Sequence, residues 1–295
     1  MRNRETILTT VVIVCCFNCV SLFSTDFINV KVGARSLAMG NAFTAVSDDA
    51  NLLQFNPAGL AMLLKKEIMF SYVSWLGDTP IEYVSYVHPG LYKSLNFGIG
   101  LQWFDLTLKK TDLKGVEMGD LKIRESNTVC SIATKIKEEL SVGLNFKIVN
   151  SSLGKYASTG LLLDAGVLWL TSFADIGASV VSFQVLPFKY REREESVNTH
   201  LCVGIAKFMK KFCCGVDAVK ELNTAAPPFI RAGAEYYIFP QLAIQGGYSL
   251  EYGAQNIFLG CRLNLLRGEE KYILNVAFGE TSISSIYAVS FNIKF

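Results

Sequence analysis

The sequence predicts an all-β protein: a transmembrane antiparallel β-barrel of about fourteen strands with a small N-terminal helical plug. Three observations predict it. From Lys65 onward the chain falls into fourteen short stretches in which apolar and polar residues alternate, as a wall with lipid on one face and an enclosed interior on the other requires. The 295 residues are 51% hydrophobic and 18% charged, more apolar than an average soluble domain. Yet no interior apolar run approaches the roughly 18 to 20 residues of a spanning helix.

The elements follow in order. Residues 1–24 read as a signal peptide: Arg2 and Arg4 form a basic start, Ile7 to Val20 an apolar stretch too short to span comfortably, and Ser21 or Ser24 precedes the expected cleavage. Residues 25–64 lack strand alternation. Ala34 to Ala45 is rich in small residues, Ser47, Asp48 and Asp49 can cap a helix beginning near Ala50, and Asn56-Pro57 marks a turn or helix boundary. This segment is expected to be a compact plug rather than wall. The barrel, residues 65–295, is expected to have strands at 65–76, 80–88, 94–106, 126–136, 140–153, 158–170, 174–184, 197–208, 212–222, 228–239, 242–252, 256–266, 272–280 and 284–295. Most have the roughly 9 to 13 residues that a tilted strand needs to cross a bilayer.

Period-2 patterning is sharpest near the C-terminus. Tyr287, Val289, Phe291, Ile293 and Phe295 share one face, and Ala288, Ser290, Asn292 and Lys294 the other. Connection lengths agree: turns at 89–93, 137–139, 171–173, 209–211, 240–241 and 267–271 are short. The two longest connections, 107–125 and 185–196, fall on the opposite side, the asymmetry of a barrel with short inner turns and long outer loops. Both are charged and are expected to be solvated loops.

Two features together carry a family resemblance. One is Gly33-Ala34-Arg35-Ser36-Leu37-Ala38-Met39-Gly40, followed by Asp48-Asp49-Ala50 and then Asn56-Pro57-Ala58-Gly59-Leu60; the other is the fourteen-strand count with its C-terminal aromatic. The chain resembles the FadL-like and PorV-like outer-membrane barrels, and among them the spirochaete UPF0164 family. The resemblance implies a plug acting as a hatch, with Asn56, Pro57, Ala58 and Gly59 as its motif and Gly33 and Gly40 flanking it. It also implies residence in the bacterial outer membrane and passive transport of a hydrophobic ligand, with long-chain fatty acids the expected cargo and outer-membrane lipid the surroundings. Lateral exit near a bend in an early strand makes Gly98 and Gly100 candidate gate positions. The alternative is that small residues there make room for the plug. PorV-like relatives serve secretion, so a structural or secretion-associated barrel binding a protein partner is the second reading.

Chemistry by catalysis has little support. The sequence has no G-x-S-x-G, no Gly-rich phosphate loop, no H-E-x-x-H and, beyond the signal segment, no C-x-x-C, and only two histidines, His88 and His200. An enzyme, a metal site and a cofactor are not expected. A net charge of +2 gives no footprint for nucleic acid. The five cysteines beyond the signal segment, at 130, 202, 213, 214 and 261, read as small apolar fillers, and the barrel is expected to be a monomer. Lys147, Asp164, His200, Asp217, Arg231, Glu235, Glu251 and Arg262 fall on the interior face. Lys147, Arg231 and Arg262 are candidates to meet a ligand carboxylate. The favoured reading has them pair with Glu235, Glu251 and the plug, because mixed signs suit pairing better than one anion site.

Overall fold

Alternating side chains leave each strand with one apolar face, and closing the sheet removes the unpaired edges that no bilayer tolerates. A computed structural model describes residues 26–75, 79–92, 94–112, 115–190, 193–251, 254–281 and 284–295. The expected signal segment lies outside the described residues.

Sixteen strands occur in chain order: β1 Glu67–Trp75, β2 Thr79–Tyr92, β3 Leu95–Thr111, β4 Glu117–Lys137, β5 Leu140–Leu153, β6 Tyr156–Leu170, β7 Asp175–Leu186, β8 Phe188–Tyr190, β9 Arg193–Glu195, β10 His200–Met209, β11 Phe212–Glu221, β12 Phe229–Phe239, β13 Leu242–Glu251, β14 Ala254–Arg267, β15 Glu270–Glu280 and β16 Ser285–Lys294. Fourteen form one closed barrel of antiparallel neighbours, with β7 paired to β10 and β1 paired to β16; β8 and β9 form a separate hairpin. Lys66 and Phe295 exchange backbone hydrogen bonds of 3.1 and 3.0 Å at the closing seam.

The faces sort as the alternation predicts. On β16, Ala288, Ser290 and Asn292 are 1–2% exposed, whereas Tyr287, Val289 and Phe291 stand out from the wall. Leu144, Phe146 and Ile148 of β5 and Ile257, Leu259 and Leu265 of β14 continue the outer apolar belt. The interior is packed with polar side chains and with residues 26–66, whose ordered turns are short. α1 spans Ala34–Ala38, and 3-10 turns occupy Asp26–Asn29, Ala50–Gln54 and Pro57–Met62. The expected helical character reduces to these single turns.

Two expected loops are strands instead. The 107–125 connection is largely an extension of β3 and β4. β2 accompanies β3 only as far as Phe104, and β5 accompanies β4 only from Ile123, so Thr107–Thr111 and Glu117–Lys122 have only each other as ladder partners. At ~3.3 Å per residue this ribbon rises about 20 Å beyond its neighbours. Its charges face one another: Arg124 Nε lies 2.8 Å from Asp105 Oδ2, and Lys109 Nζ lies 2.7 Å from Glu117 Oε1. Cross-strand pairing of opposite charges made a strand look like a solvated loop. The 185–196 connection holds the β8–β9 hairpin, whose Phe188 is buried against Ile28, Val149, Leu162 and Val197.

Leu259 projects from the middle of β14 and is 60% exposed. Leu259→Arg is expected to destabilise the barrel by about 2–4 kcal/mol in a bilayer, the cost of a cation near the midplane. Denaturant titration of protein refolded into lipid vesicles measures this; an unchanged midpoint means that this face does not meet hydrocarbon.

Candidate functional site

An irregular segment inside a barrel has backbone N–H and C=O groups that need partners. Here the wall supplies them. Asp217 of β11 accepts three hydrogen bonds at Oδ2, from the backbone N–H of Phe43 and of Thr44 at 2.9 Å each and from Thr44 Oγ1 at 2.7 Å. Ser141 Oγ donates to Ala58 O, Ser179 Oγ to Phe55 O and Asn145 Nδ2 to Leu53 O, all at 2.9 Å. Asn96 Nδ2 donates to Leu60 O at 2.6 Å.

The hatch motif is built into the wall rather than laid on it. Asn56 Oδ1 accepts from Ala58 N–H at 3.1 Å and so caps the turn that Pro57 begins. Asn56 Nδ2 donates to Thr44 O at 2.8 Å and to Val167 O, a carbonyl of β6, at 3.1 Å. This approach needs wall residues without side chains. A Cβ at Gly166 would lie 2.0 Å from Asn56 Oδ1, and one at Gly143 would lie 2.4 Å from the Pro57 carbonyl carbon. The same relation recurs around the barrel, where Gly177, Gly233 and Gly247 lie against Thr44, Met39 and Gly40. Gly40 has φ +62° and is held between the backbones of β12 and β13. Gly33 and Gly59 face other plug side chains, Asn51 and Leu52.

A buried ionic cluster ties α1 to the inner half of the wall. Arg35, 1% exposed, donates from Nε and Nη2 to the two oxygens of Glu235 at 3.0 Å each, and from Nη1 to Asp48 at 2.5 Å and Asp49 at 2.7 Å. Glu235 also accepts from Gln245 Nε2 at 2.7 Å and lies 3.4 Å from Arg262 Nη1. Burial raises a carboxyl, but the Arg35 guanidinium more than offsets it and holds Asp48 well below the usual range. Lys294 Nζ donates to Asp48 O at 2.5 Å and lies 3.2 Å from Glu67.

The other predicted interior charges lie elsewhere. Lys147 pairs with Asp164 at 2.6 Å, both buried, and Arg231 Nη2 lies 3.5 Å from Glu251. Arg262 and Glu235 are brought to the plug; Lys147, Arg231 and Glu251 are not part of that cluster. Lys31 Nζ donates within the plug to Gln54 O at 2.7 Å, and burial, followed by the nearby Lys147 ammonium, lowers it to about 7. The space beside it, about 10 Å³ and bounded by Ile28, Tyr83, Gln102 and Asn127, holds no more than a water.

Gly98 and Gly100 sit where β3 is paired without interruption to both β2 and β4. A Cβ at Gly98 would lie 2.6 Å from Leu53 of the plug, so the small residue there makes room for the plug. The ladder is interrupted instead between β6 and β7, at Asp164 on one side and at Val181 and Ser182 on the other. Ser182 has φ +61°, a conformation uncommon for a residue other than glycine. Asp164 Oδ1 bridges the break by accepting from Ser182 N–H at 2.7 Å. Beside the break, the outer wall carries an apolar groove of about 610 Å³ bounded by Leu95, Val142, Leu144, Val167, Val180 and Leu201, with Gly143 and Gly166 among its lining residues. The hatch motif lies directly behind those two glycines.

Sequence reasoning put Asp217 on the interior face without its role, and missed the role of Arg35 and of the glycines that recur on consecutive strands. Each left a signal: a lone cation in a run of small residues, an acid on a lumen face, and one inward glycine in strand after strand.

A closed fourteen-stranded barrel with an inserted N-terminal segment is the architecture of FadL-like outer-membrane proteins. The fold superposes on a Pseudomonas aeruginosa FadL homologue with TM-score 0.65 and 10% identity, covering 90% of this chain and 98% of that one. It superposes on the CymD monoaromatic hydrocarbon channel with TM-score 0.64 and 14% identity, covering 90% and 97%. For the Ralstonia pickettii toluene transporter TbuX the values are 0.63 and 14%, covering 89% and 97%. In sequence, residues 23–162 match the model of the uncharacterised protein family UPF0164. A UPF0164 protein of Treponema pallidum (strain Nichols) is 27% identical over 150 residues, 48% of this chain and 37% of the relative's length.

Arg35→Ala is expected to destabilise the barrel by about 3–5 kcal/mol, because Glu235, Asp48 and Asp49 lose a buried partner. Adding Glu235→Gln is expected to recover part of that loss. Equilibrium unfolding of the single and double variants measures both, and a loss under 1 kcal/mol for Arg35→Ala contradicts the role assigned to this cluster.

Proposed function

We propose that this protein is a passive outer-membrane transporter of hydrophobic compounds that leave the lumen sideways into the bilayer. The observation that carries the reading is the placement of the hatch motif directly behind an apolar groove, next to the register break between β6 and β7. A hydrophobic solute gains nothing by crossing an aqueous pore, whereas an opening at this depth delivers it from the lumen to acyl chains. The exit is placed between β6 and β7 rather than at Gly98 and Gly100. There Asp164, by bridging to Ser182 N–H, replaces the missing ladder bonds.

Long-chain fatty acids are one cargo class, and hydrocarbons such as those named for the CymD and TbuX channels are another. Transport needs no cofactor, only partition and a gradient. The reading as a secretion-associated barrel draws on the free β3–β4 ribbon, whose unpaired edges could accept a partner strand. The ribbon's facing charge pairs oppose such addition, so transport is favoured.

Protein reconstituted in liposomes is expected to speed entry of a labelled hydrophobic solute above that of empty vesicles. Deleting 30–62 is expected to change the rate. Asp164→Ala removes the bridge at the break and is expected to raise the rate severalfold. Entry no faster than in empty vesicles rejects the reading.

A further inference from the structure

The apolar groove on the outer wall has its origin in the plug. A Cβ at Gly177 would stand 2.3 Å from Thr44 O, and Cβ atoms at Gly143 and Gly166 would crowd Pro57 and Asn56. Drawing β5, β6 and β7 this close to the plug hollows their lipid face, and short side chains keep it hollow. Ala165 lies between Leu144 and Val180 in the ladder, and Ala178 beside Val167. Elsewhere the outer belt carries Phe146, Ile257 and Leu259. The hollow measures about 610 Å³.

Toward the inner end of the same strands the wall turns aromatic and basic. One ladder row runs Lys137, Leu140, Trp169, Ile176 and Ile205 across β4, β5, β6, β7 and β10. Trp169 is 53% exposed and Phe173, in the adjoining turn, 74%. Lys207, two residues beyond Ile205, places Nζ 4.2 Å from the centre of the Phe173 ring. The stretches on either side, 135–139 and 207–211, contain five lysines and two glutamates. At the outer rim, by contrast, Lys109 pairs with Glu117 and Lys189 with Glu194.

We propose that this face binds one anionic phospholipid of the inner leaflet, with an acyl chain in the groove and its phosphate at Trp169, between Lys137 and Lys207. The inference needs only that this wall meets a bilayer, and it holds whether or not a solute leaves here.

Three arguments select this occupant. The first is charge, because basic residues at the mouth of a membrane-facing groove match an anionic headgroup, whereas an uncharged solute makes no use of them. The second is depth. From Trp169 to Ala165 is about 13 Å along β6 at ~3.3 Å per residue, within a single leaflet of roughly 15 Å of hydrocarbon, and tryptophan sits at headgroup level. The third is self-repulsion: a second copy of the chain packed symmetrically on this face would bring two lysine-rich rims together.

The test is native mass spectrometry of refolded full-length protein. It is offered equal amounts of phosphatidylglycerol and phosphatidylcholine with identical chains, and palmitate in a parallel arm. One phosphatidylglycerol is expected to stay bound per chain. Its preference over phosphatidylcholine is expected to be at least about fivefold, the factor that one lysine supplies at a headgroup. Lys137→Gln combined with Lys207→Gln is expected to abolish that preference. Ala165→Trp fills the groove from the lipid side and is expected to remove the bound lipid. Heat-modifiable gel mobility checks that each variant still closes its barrel; should Ala165→Trp fail, Ala178→Leu fills the same hollow with a smaller side chain. Equal retention of the two phospholipids, retention that survives groove filling in a folded variant, palmitate retained in place of phospholipid, or a lipid-free dimer each overturns the proposal. Selective retention without solute entry in liposomes keeps the lipid site and rejects the transport reading.

Discussion

Irregular backbone can occupy the inside of a membrane barrel only if every polar group it brings is satisfied there, since lipid on the far side of the wall offers nothing. In this protein the solution is close contact of backbone with backbone. Inward glycines let plug carbonyls and amides come within reach of short polar side chains such as Ser141, Asn145, Ser179 and Asp217. Longer wall residues would hold the plug away from these donors and acceptors and leave its carbonyls unpaired. The polar inward faces of the strands are therefore the complement of one particular plug path, more than the lining of a water-filled channel.

Electrostatics follows from the same enclosure. A guanidinium at 1% exposure is tolerable only with opposite charge at contact distance, and Arg35 meets three carboxylates. Glu235 in turn is shared by Arg35 and Arg262. Such a cluster contributes less to net stability than its Coulomb attractions suggest, because desolvation opposes them. Its larger consequence is specificity: Arg35 sits in the first turn of α1, so the cluster fixes where the plug begins its turn across the barrel. Asp217, which grips the backbone of Phe43 and Thr44, fixes the next stretch.

The barrel was legible in the sequence because lipid enforces alternation. Tyr287 to Phe295 and Leu140 to Ile148 each show which side faces the bilayer, and strand ends were placed within a few residues nearly throughout. Where lipid stops, that rule stops. The β3–β4 ribbon stands clear of its neighbouring strands and keeps its strands through cross-strand charge pairs, so its composition looks like loop. The β8–β9 hairpin is specified by one residue, Phe188, whose pocket is assembled from Ile28, Val149, Leu162 and Val197, far apart in sequence. In the plug, Asn56-Pro57-Ala58-Gly59 was recognisable as a motif, but its partners Val167, Gly166 and Gly143 are not. Tertiary complementarity of that kind has no period.

Relative strength of attachment decides which closure can move. The plug is held by a buried ion cluster, whose disruption costs about 3–5 kcal/mol per lost partner, and by a succession of buried hydrogen bonds to its backbone. The outer hairpin is held to the wall chiefly by one buried ring, worth about 1.5–3 kcal/mol, with hydrogen bonds from Lys189 N–H to Ser158 Oγ and from Gln184 Nε2 to Glu195 O; its exposed Lys189–Glu194 ion pair only joins its own two strands. Thermal opening therefore favours the hairpin over the plug by a wide margin. On the transport reading, a solute in the lumen finds the axial route blocked by this stiffer element, while the β6–β7 break is bridged through a single side chain, Asp164. The plug would then not need to leave for cargo to pass: it would serve as the floor that turns an axial path sideways into the membrane.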